Sequence, residues 1–292
     1  MAATLYVVAT PLGNLADLTP RAADLLRQVS VVAAEDTRRT RGLLAHLGAS
    51  GSRVLSFHAH SPARRRDVLL EMLRDGRDVA LVTDAGTPAV SDPGAELVAA
   101  ARLAGFSVVP LPGASAVTAA LSASGFPADR YLFLGFVPRK GGERTRLLAR
   151  AADEEWSVVL FEAPGRLAAL LADLVPLAGA GRRAVVAREL TKVHEEFRAG
   201  TLAELADYYS ADEPRGEITV VLEGAGAPPA STFDVEEARA RADALLAEGL
   251  TRREVAQRLS AALGLSRNEA YRVAAGRPEA ERDRQPDERG ES

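Results

Sequence analysis

The stretch Val79–Gly94, VALVTDAGTPAVSDPG, decides how the rest of this 292-residue chain is read. Its first four residues are apolar without interruption, as in a parallel strand buried on both faces. The run stops at Thr83-Asp84, and a loop follows that is crowded with Asp84, Gly86, Thr87, Pro88, Asp92, Pro93 and Gly94. In α/β sheets, ligands bind just beyond the carboxyl ends of the strands. Gly86 lets backbone come close to another group, and the Asp84 carboxylate accepts hydrogen bonds from hydroxyl or amine donors. The same residues also serve an ordinary strand-to-helix turn, where Asp and Gly supply the turn geometry.

On the N-terminal side of this stretch, strands are expected at Leu5–Ala9, Val29–Ala34 and Val54–Phe57. Helices are expected from Thr19 (an N-cap, with Pro20 at the first helical position) to Gln28, over Arg39–Leu47, closed by Gly48, and over Pro62–Arg74. A helix over Gly94–Ala104 and a strand over Phe106–Leu111 follow it. Such alternation implies a mostly parallel sheet. Pro112–Ala116 leads into a second half: helix Ala116–Ser124, strand Arg130–Phe136, polar loop Pro138–Glu143, helix Arg144–Asp153, strand Ser157–Phe161 and a helix to Leu174. A strand at Ala184–Ala187, a hairpin or edge strand near Phe197–Gly200, a helix Leu202–Tyr209 and a strand Glu217–Glu223 complete it. The domains are expected at 1–112 and 113–224, both α/β, followed by a Gly/Pro/Ala linker at 225–232. A small helical module spans 233–276, with helices Val235–Glu248, Thr251–Leu263 (opened by the capping box Thr251–Glu254) and Ser266–Ala274, in a helix-turn-helix pattern. The tail 277–292 is almost devoid of apolar residues and is expected to be disordered.

Composition narrows the function. The chain is 47% hydrophobic and carries 36 basic and 40 acidic residues, a net charge of −4 that does not announce a nucleic-acid binder. It has no cysteine, which excludes disulfides, thiolate zinc sites and a Cys nucleophile. No signal segment and no membrane-length apolar run is read, so the expectation is a cytoplasmic protein with no membrane association. There is no phosphate-binding P-loop and no G-x-S-x-G elbow, and Gly224-Ala225-Gly226 is followed by Pro228-Pro229 where a dinucleotide loop needs a helix. His58 and His60 would point the same way on an extended segment, but no third ligand stands near, so no metal is expected.

Six segments together carry a resemblance. They are ATPLGNL at Ala9–Leu15, AEDTR at Ala34–Arg38, TDAGTPAVSDPG at Thr83–Gly94, PLPGASA at Pro110–Ala116, RELTK at Arg188–Lys192 and GEITVVLEG at Gly216–Gly224. In order and spacing they resemble the ribosomal small-subunit methyltransferase I family, within the tetrapyrrole methylase superfamily. The resemblance implies a two-domain α/β, tetrapyrrole-methylase-like fold with a small C-terminal helical, helix-turn-helix-like appendage. It implies S-adenosylmethionine in the cleft between domains, a homodimer, and methylation of a cytidine ribose 2′-hydroxyl (the family's cytidine 1402) in 16S rRNA at the decoding centre. The match departs after Thr191-Lys192, where Val193-His194 stand in place of the family's frequent Trp or other large residue.

Under that resemblance the donor would be held by Pro11, Gly13, Asp84, Ala85, Gly86, Thr87, Gly113, Ser115 and Ala116, small residues whose main-chain groups can reach it. Plain turns and a helix N-terminus account for the same small residues. A ribose hydroxyl is a poor nucleophile and needs a general base or a positive charge beside the developing alkoxide. Glu35, Asp36 and Lys192 are the catalytic candidates, with Glu189 beside Lys192; Glu35 and Asp36 would equally form a surface network capping the next helix. Arg38, His58, Arg139 and Lys140 are the substrate-side candidates, and Arg64–Arg66, Arg144 and the basic tail unit (Arg252, Arg253, Arg258, Arg267, Arg272) could meet RNA phosphates or form solvated faces. The partner would be 16S rRNA or the 30S subunit. Two other readings stay open: a tetrapyrrole C-methyltransferase, and a non-catalytic nucleic-acid-binding protein using the helical tail.

Overall fold

The computed structural model describes residues 3–49, 51–211, 214–226, 235–263 and 273–274. The chain to Ala225 is one compact unit and the described residues from Gly226 belong to a second.

The first unit contains two sheets. Five strands, β1 (Thr4–Val8), β2 (Val31–Ala34), β3 (Arg53–Ser56), β4 (Val79–Val82) and β5 (Ser107–Leu111), form an all-parallel sheet in the order β3-β2-β4-β1-β5. Side chains alternate along each strand, which sorts the core into two layers. Val79 and Leu81 of β4 pack with Leu69 and Leu73 of α3 (Ala63–Arg74) and Leu97 of α4 (Ala95–Leu103). Ala80 and Val82 pack with Leu26 of α1 (Pro20–Gln28) and Leu44 of α2 (Thr37–His46) on the opposite face. Both layers being filled, β2 and β4 are buried along their whole length, as their uninterrupted apolar runs require. The chain leaves β1 toward β2 and β3 on one side and leaves β4 toward β5 on the other. The β1–β4 boundary is therefore the switch point of the sheet, where α/β folds open a crevice.

The second sheet is mixed. β6 (Tyr131–Phe136) runs parallel to β7 (Ser157–Glu162), while β8 (Arg183–Arg188), β9 (Glu196–Thr201) and β10 (Ile218–Leu222) complete the order β6-β7-β10-β8-β9 through antiparallel pairs. The segment expected near Phe197 is thus an edge strand on β8. Helix α5 (Ala116–Ser124) covers one face through Val117, Ala120 and Leu121. Helices α6 (Gly142–Asp153), α7 (Leu167–Ala178) and α8 (Leu202–Ala211) cover the other with a layer rich in leucine, including Leu148, Leu170, Leu174 and Leu205.

Local chemistry sets the ends of the elements. Thr19 accepts from the Ala22 N–H at 3.3 Å and Pro20 follows it, so α1 begins where the sequence places it. Helix α2 begins two residues before the expected Arg39, because the Asp36 side chain accepts from the Arg38 N–H at 2.8 Å and caps a helix starting at Thr37. Helix α7 runs past Leu174 to Ala178 with Pro176 in its last turn.

The second unit holds α9 (Val235–Ala247) and α10 (Arg252–Leu263), packed through Ala242, Val255, Ala256 and Leu259 with Ala274. The capping box is formed: the Thr251 N–H donates to Glu254 at 2.9 Å and the Glu254 N–H to the Thr251 hydroxyl at 3.4 Å. Most of the third helix expected from Ser266, with Arg267 and Arg272, lies outside the described residues, as do the tail 277–292 and the linker beyond Gly226.

Candidate active site

The loops that leave β1, β4 and β5 are sewn to one another at the switch point. Thr10 and Gly86 exchange backbone hydrogen bonds of 2.8 and 3.0 Å, and the Thr10 hydroxyl donates to the Thr83 carbonyl at 3.0 Å. The Thr87 hydroxyl donates to the Ala114 carbonyl at 3.2 Å. Gly86 has φ +83, a left-handed conformation that favours glycine, and a Cβ there would meet Leu12 Cδ2 at 3.3 Å. Its small size thus serves a close approach of the chain to itself. The same holds for Gly113, against the Ala9 Cβ, and for Gly13, over which the Lys192 side chain lies.

Above this floor a cleft of about 420 Å³ opens between the two sheets of the first unit, within the range of small-molecule sites. Asp84, Ala85, Gly86 and Thr87 line it from the β4 loop, and Ser115 and Ala116 from the start of α5. Glu35 lines it from the end of β2. Ser115 makes no side-chain capping bond, so the first N–H groups of α5 are left without a side-chain cap at the cleft. Pro11, Gly13 and Gly113 are not among the lining residues, although Leu12 between the first two is.

One wall is acidic. The Thr83 hydroxyl donates to Glu35 Oε2 at 2.7 Å, and the Asp36 N–H donates to Asp84 Oδ1 at 2.9 Å, tying the ends of β2 and β4 together. Arg39 approaches Asp84 only to 3.7 Å. Burial, opposed by the Asp36 N–H and reinforced by the charge of Glu35, pushes the Asp84 carboxyl above its usual range. Asp92, on the same loop, is pushed up to about 6, first by burial and then by Glu35. Asp36 itself is turned to other work: it caps α2 and meets the Arg38 guanidinium at 2.8 and 3.2 Å, which lowers its pKa to about 2.

The facing wall is balanced in the sense that each of its carboxylates has a cation beside it. Lys192 Nζ lies 2.8 Å from Glu189 and 3.2 Å from Glu217. Burial alone would lower the lysine pKa, but its two carboxylate partners outweigh that and raise it. The lysine holds Glu189 below the usual carboxylate range in turn. Glu217 lines the cleft, whereas Lys192 is not among the lining residues. Gly216, at φ +88, gives Glu189 its room: a Cβ there would fall 2.1 Å from Glu189 Oε1. Further along this wall the fully buried Glu162 carboxylate meets Arg166 at 2.9 Å and Arg144 at 3.7 Å. Arg144 also pairs with Asp173 at 2.7 Å, so this arginine is built into the fold rather than presented as a free cation.

Backbone strain concentrates on these two walls. The four non-glycine residues with positive φ among the described ones are Ala89 and Ser91 on the acidic loop and Glu189 and Thr191 on the balanced one. Such conformations cost on the order of 1–3 kcal/mol each and gather at ligand clamps.

The remaining candidates lie elsewhere. His58 is exposed in a turn, where its Nδ1 accepts from the His60 N–H at 3.2 Å, and neither it nor Arg38, Arg139 or Lys140 is among the cleft-lining residues. The cleft adds residues that sequence reading did not select: Arg39, Val90, Ser91 and Asp92 on one side, Phe136, Phe161–Pro164 and Gly216–Thr219 on the other. Their signal was position: most follow or flank a strand end, as Glu162 and Gly216 do.

A family model described as Tetrapyrrole (Corrin/Porphyrin) Methylases matches residues 4–206. A protein of Synechocystis named ribosomal RNA small subunit methyltransferase I is 44% identical over 92% of this chain and 96% of its own length. The protein of the same name from Escherichia coli O157:H7 is 40% identical over 92% and 94%, and that from Mycobacterium bovis 47% over 88% and 89%. Among solved structures, a cobalt precorrin-4 methyltransferase aligns with a TM-score of 0.60 at 22% identity, over 77% of this chain and 96% of that one. A uroporphyrin-III C-methyl transferase from Thermus thermophilus, complexed with S-adenyl homocysteine, aligns at 0.56 and 23% identity over 76% and 98%. At such identity these two speak for the fold alone. The chain belongs to the ribosomal RNA small subunit methyltransferase I family of the tetrapyrrole methylases, and it is an S-adenosylmethionine-dependent methyltransferase.

Proposed function

We propose that the chain methylates the ribose 2′-hydroxyl of a cytidine in 16S rRNA at the decoding centre, acting as a homodimer in the cytoplasm on the rRNA or the 30S subunit. The observation that carries the site assignment is the one-sided charge of the cleft. Asp84 and Asp92 are pushed up first by burial and then by the charge of Glu35, and Arg39 comes no nearer to Asp84 than 3.7 Å. A ligand with a sulfonium and an ammonium group supplies the missing positive charge, and the N-terminus of α5 suits its carboxylate. When bound, S-adenosylmethionine supplies a methyl group on an excellent leaving group.

The chain's own residues then have separable tasks. Asp84 through Thr87 with Ser115 and Ala116 hold the donor, while Pro11, Gly13 and Gly113 shape the floor from behind. Glu35, already hydrogen-bonded to Thr83, orients the ribose hydroxyl and accepts its proton. Lys192, kept as an ammonium, adds positive potential for the developing alkoxide from behind Glu217. Asp36 sets the position of Arg38, and Arg38, His58, Arg139 and Lys140 meet the substrate outside the cleft. Positioning contributes about 7–11 kcal/mol in well-oriented transfers. The test is to map ribose methylation in 16S rRNA from a deletion strain with and without the gene restored. One cytidine should lose and regain its 2′-O-methyl group; a methyl group that changes on a base, or on no nucleotide, overturns the assignment.

A further inference from the structure

Phe136 ends β6 with 62% of its surface exposed, although it lines the cleft. Its ring meets Phe161, another lining residue, edge-on at 5.3 Å, and Phe161 meets Phe133 edge-on at 4.9 Å. The aromatic row therefore begins inside the lobe and ends with one ring presented to solvent at the cleft.

The backbone that carries this ring is fixed from several directions. A bulge interrupts the β6–β7 register between Phe133 and Gly135. Gly135 has φ +68, and a Cβ there would lie 2.9 Å from the Ser91 hydroxyl on the acidic loop, so strand and loop touch at this point. Beyond Phe136, Arg166 donates to the Val137 carbonyl and Arg144 to the Pro138 carbonyl at 3.1 Å, both guanidiniums anchored on the buried Glu162. Two arginines of this neighbourhood are thus neutralised. Arg139 and Lys140, next along the same loop, are exposed and take part in no ion pair among the described residues.

A rigid exposed ring followed within three or four residues by two free cations is the arrangement by which proteins hold single-stranded nucleic acid: a base stacks and the adjoining phosphates are neutralised. We propose that Phe136 is the stacking platform for a base of a single-stranded RNA segment, and that Arg139 and Lys140 take the phosphates beside it. This deepens, and rests on, the rRNA methylation proposed above. The ring stands beside the donor loops, so a base held on it brings its own or a neighbouring ribose to the methyl group.

The test uses the full chain, labelled S-adenosylmethionine, and both unmethylated small subunits and free 16S rRNA as substrates. Phe136→Leu should raise KM for the RNA substrate roughly tenfold or more, the effect of removing one stacking partner, with a smaller change in kcat. Phe136→Trp should restore it. Calorimetric affinity for S-adenosylmethionine should be that of the wild type in both variants. Arg139→Ala with Lys140→Ala should flatten the dependence of log(kcat/KM) on log salt by about 1–2, as for two lost phosphate contacts. A Phe136→Leu variant with wild-type KM overturns the platform. Loss of donor affinity in proportion overturns it too, and gives the ring to the donor's adenine. A wild-type chain that binds the donor yet methylates neither substrate overturns the rRNA assignment instead.

Discussion

The two walls of the cleft use the same residue types to opposite effect. On the β4 loop, Asp84 and Asp92 are pushed above their usual range by burial and by the nearby Glu35. Across from it, Glu189 is pulled below its usual range by Lys192. The difference lies in pairing. The second wall carries its own cation and is complete without a ligand. The first has negative charge in excess, and burial together with that charge makes its carboxylates take up protons more readily. Both walls bear strained non-glycine residues, so strain alone does not tell a clamp from a receptor; charge balance does.

The hardest blow to this comparison is Gly216→Ala. A Cβ at that position would fall 2.1 Å from Glu189 Oε1, at a φ of +88 that an alanine resists. Glu189 must leave, and Lys192 loses its nearer partner. We expect a destabilisation of about 2–4 kcal/mol from strain and displacement together, read as the shift in the urea unfolding midpoint. A midpoint unmoved from the wild type would mean that the balanced wall is not the clamp described here.

Lys192→Met turns the balanced wall into a second unbalanced one. Glu189 and Glu217 are left without their cation, and stability should fall by about 1 kcal/mol at pH 7. The pH dependence has a definite sign. The lowered Glu189 pKa contributes stability above the ordinary carboxylate range that is lost as pH falls through the folded value. The raised Lys192 pKa contributes stability that is lost only as pH climbs through the folded value above 10.5. The gap between variant and wild type should therefore be widest between about pH 5 and 10 and close on the acid side. A gap independent of pH would point to lost packing over Gly13 instead.

Asp92→Asn works on the other wall and in the other direction. With a folded pKa of about 6 against an ordinary 3.8, the folded state holds a proton through that interval which the unfolded state has released. Wild-type stability therefore falls as pH rises from 3.8 toward 6 and stays reduced above it. Asparagine removes the penalty. After allowance for solvent screening, the variant should gain on the order of 1 kcal/mol at pH 7 to 8, and the gain should vanish in acid. Donor affinity should move oppositely: in the wild type it should weaken as pH drops below about 6, whereas in the variant it should be weaker and flat. Equal affinity at pH 7 would separate the acidic wall from the cationic ligand.

How much of this was legible beforehand follows the same division. The β4 side of the acidic wall is contiguous in sequence: an apolar strand, then Asp84 through Thr87, so strand-end reasoning points to it directly. The balanced wall is assembled by sheet register, which places Ile218 opposite Glu162 and opposite Arg188. No local pattern in GEIT or FEAPG announces that pairing. Asp92 is visible as a residue, but its raised pKa depends on burial and on Glu35, which the β2–β4 pairing brings near. Gly13 and Gly113 admit close approach of Lys192 and Ala9, contacts across the fold that no local pattern announces. In sequence Phe136 is simply the end of a strand, and only its exposure beside Phe161 sets it apart.

The smallest expected effect belongs to Asp36, and it separates a cap from a catalyst. Its carboxylate accepts the Arg38 backbone N–H and, from the Arg38 guanidinium, the Nε and Nη2 N–H groups. Asparagine is as good an N-cap as aspartate and keeps a side-chain oxygen for the Arg38 N–H. Asp36→Asn should therefore preserve α2 and, with Glu35 untouched, leave the methylation rate within about twofold, since a catalytic base contributes roughly 10²–10⁴-fold. One change should still be measurable. Wild-type stability present above the ordinary carboxylate pKa is lost as pH falls toward the folded value of about 2, and the variant should lack that acid-side slope. A hundredfold loss of rate with the helix intact would move proton transfer from Glu35 to Asp36, and with it the reactive end of the donor to the outer edge of the acidic wall.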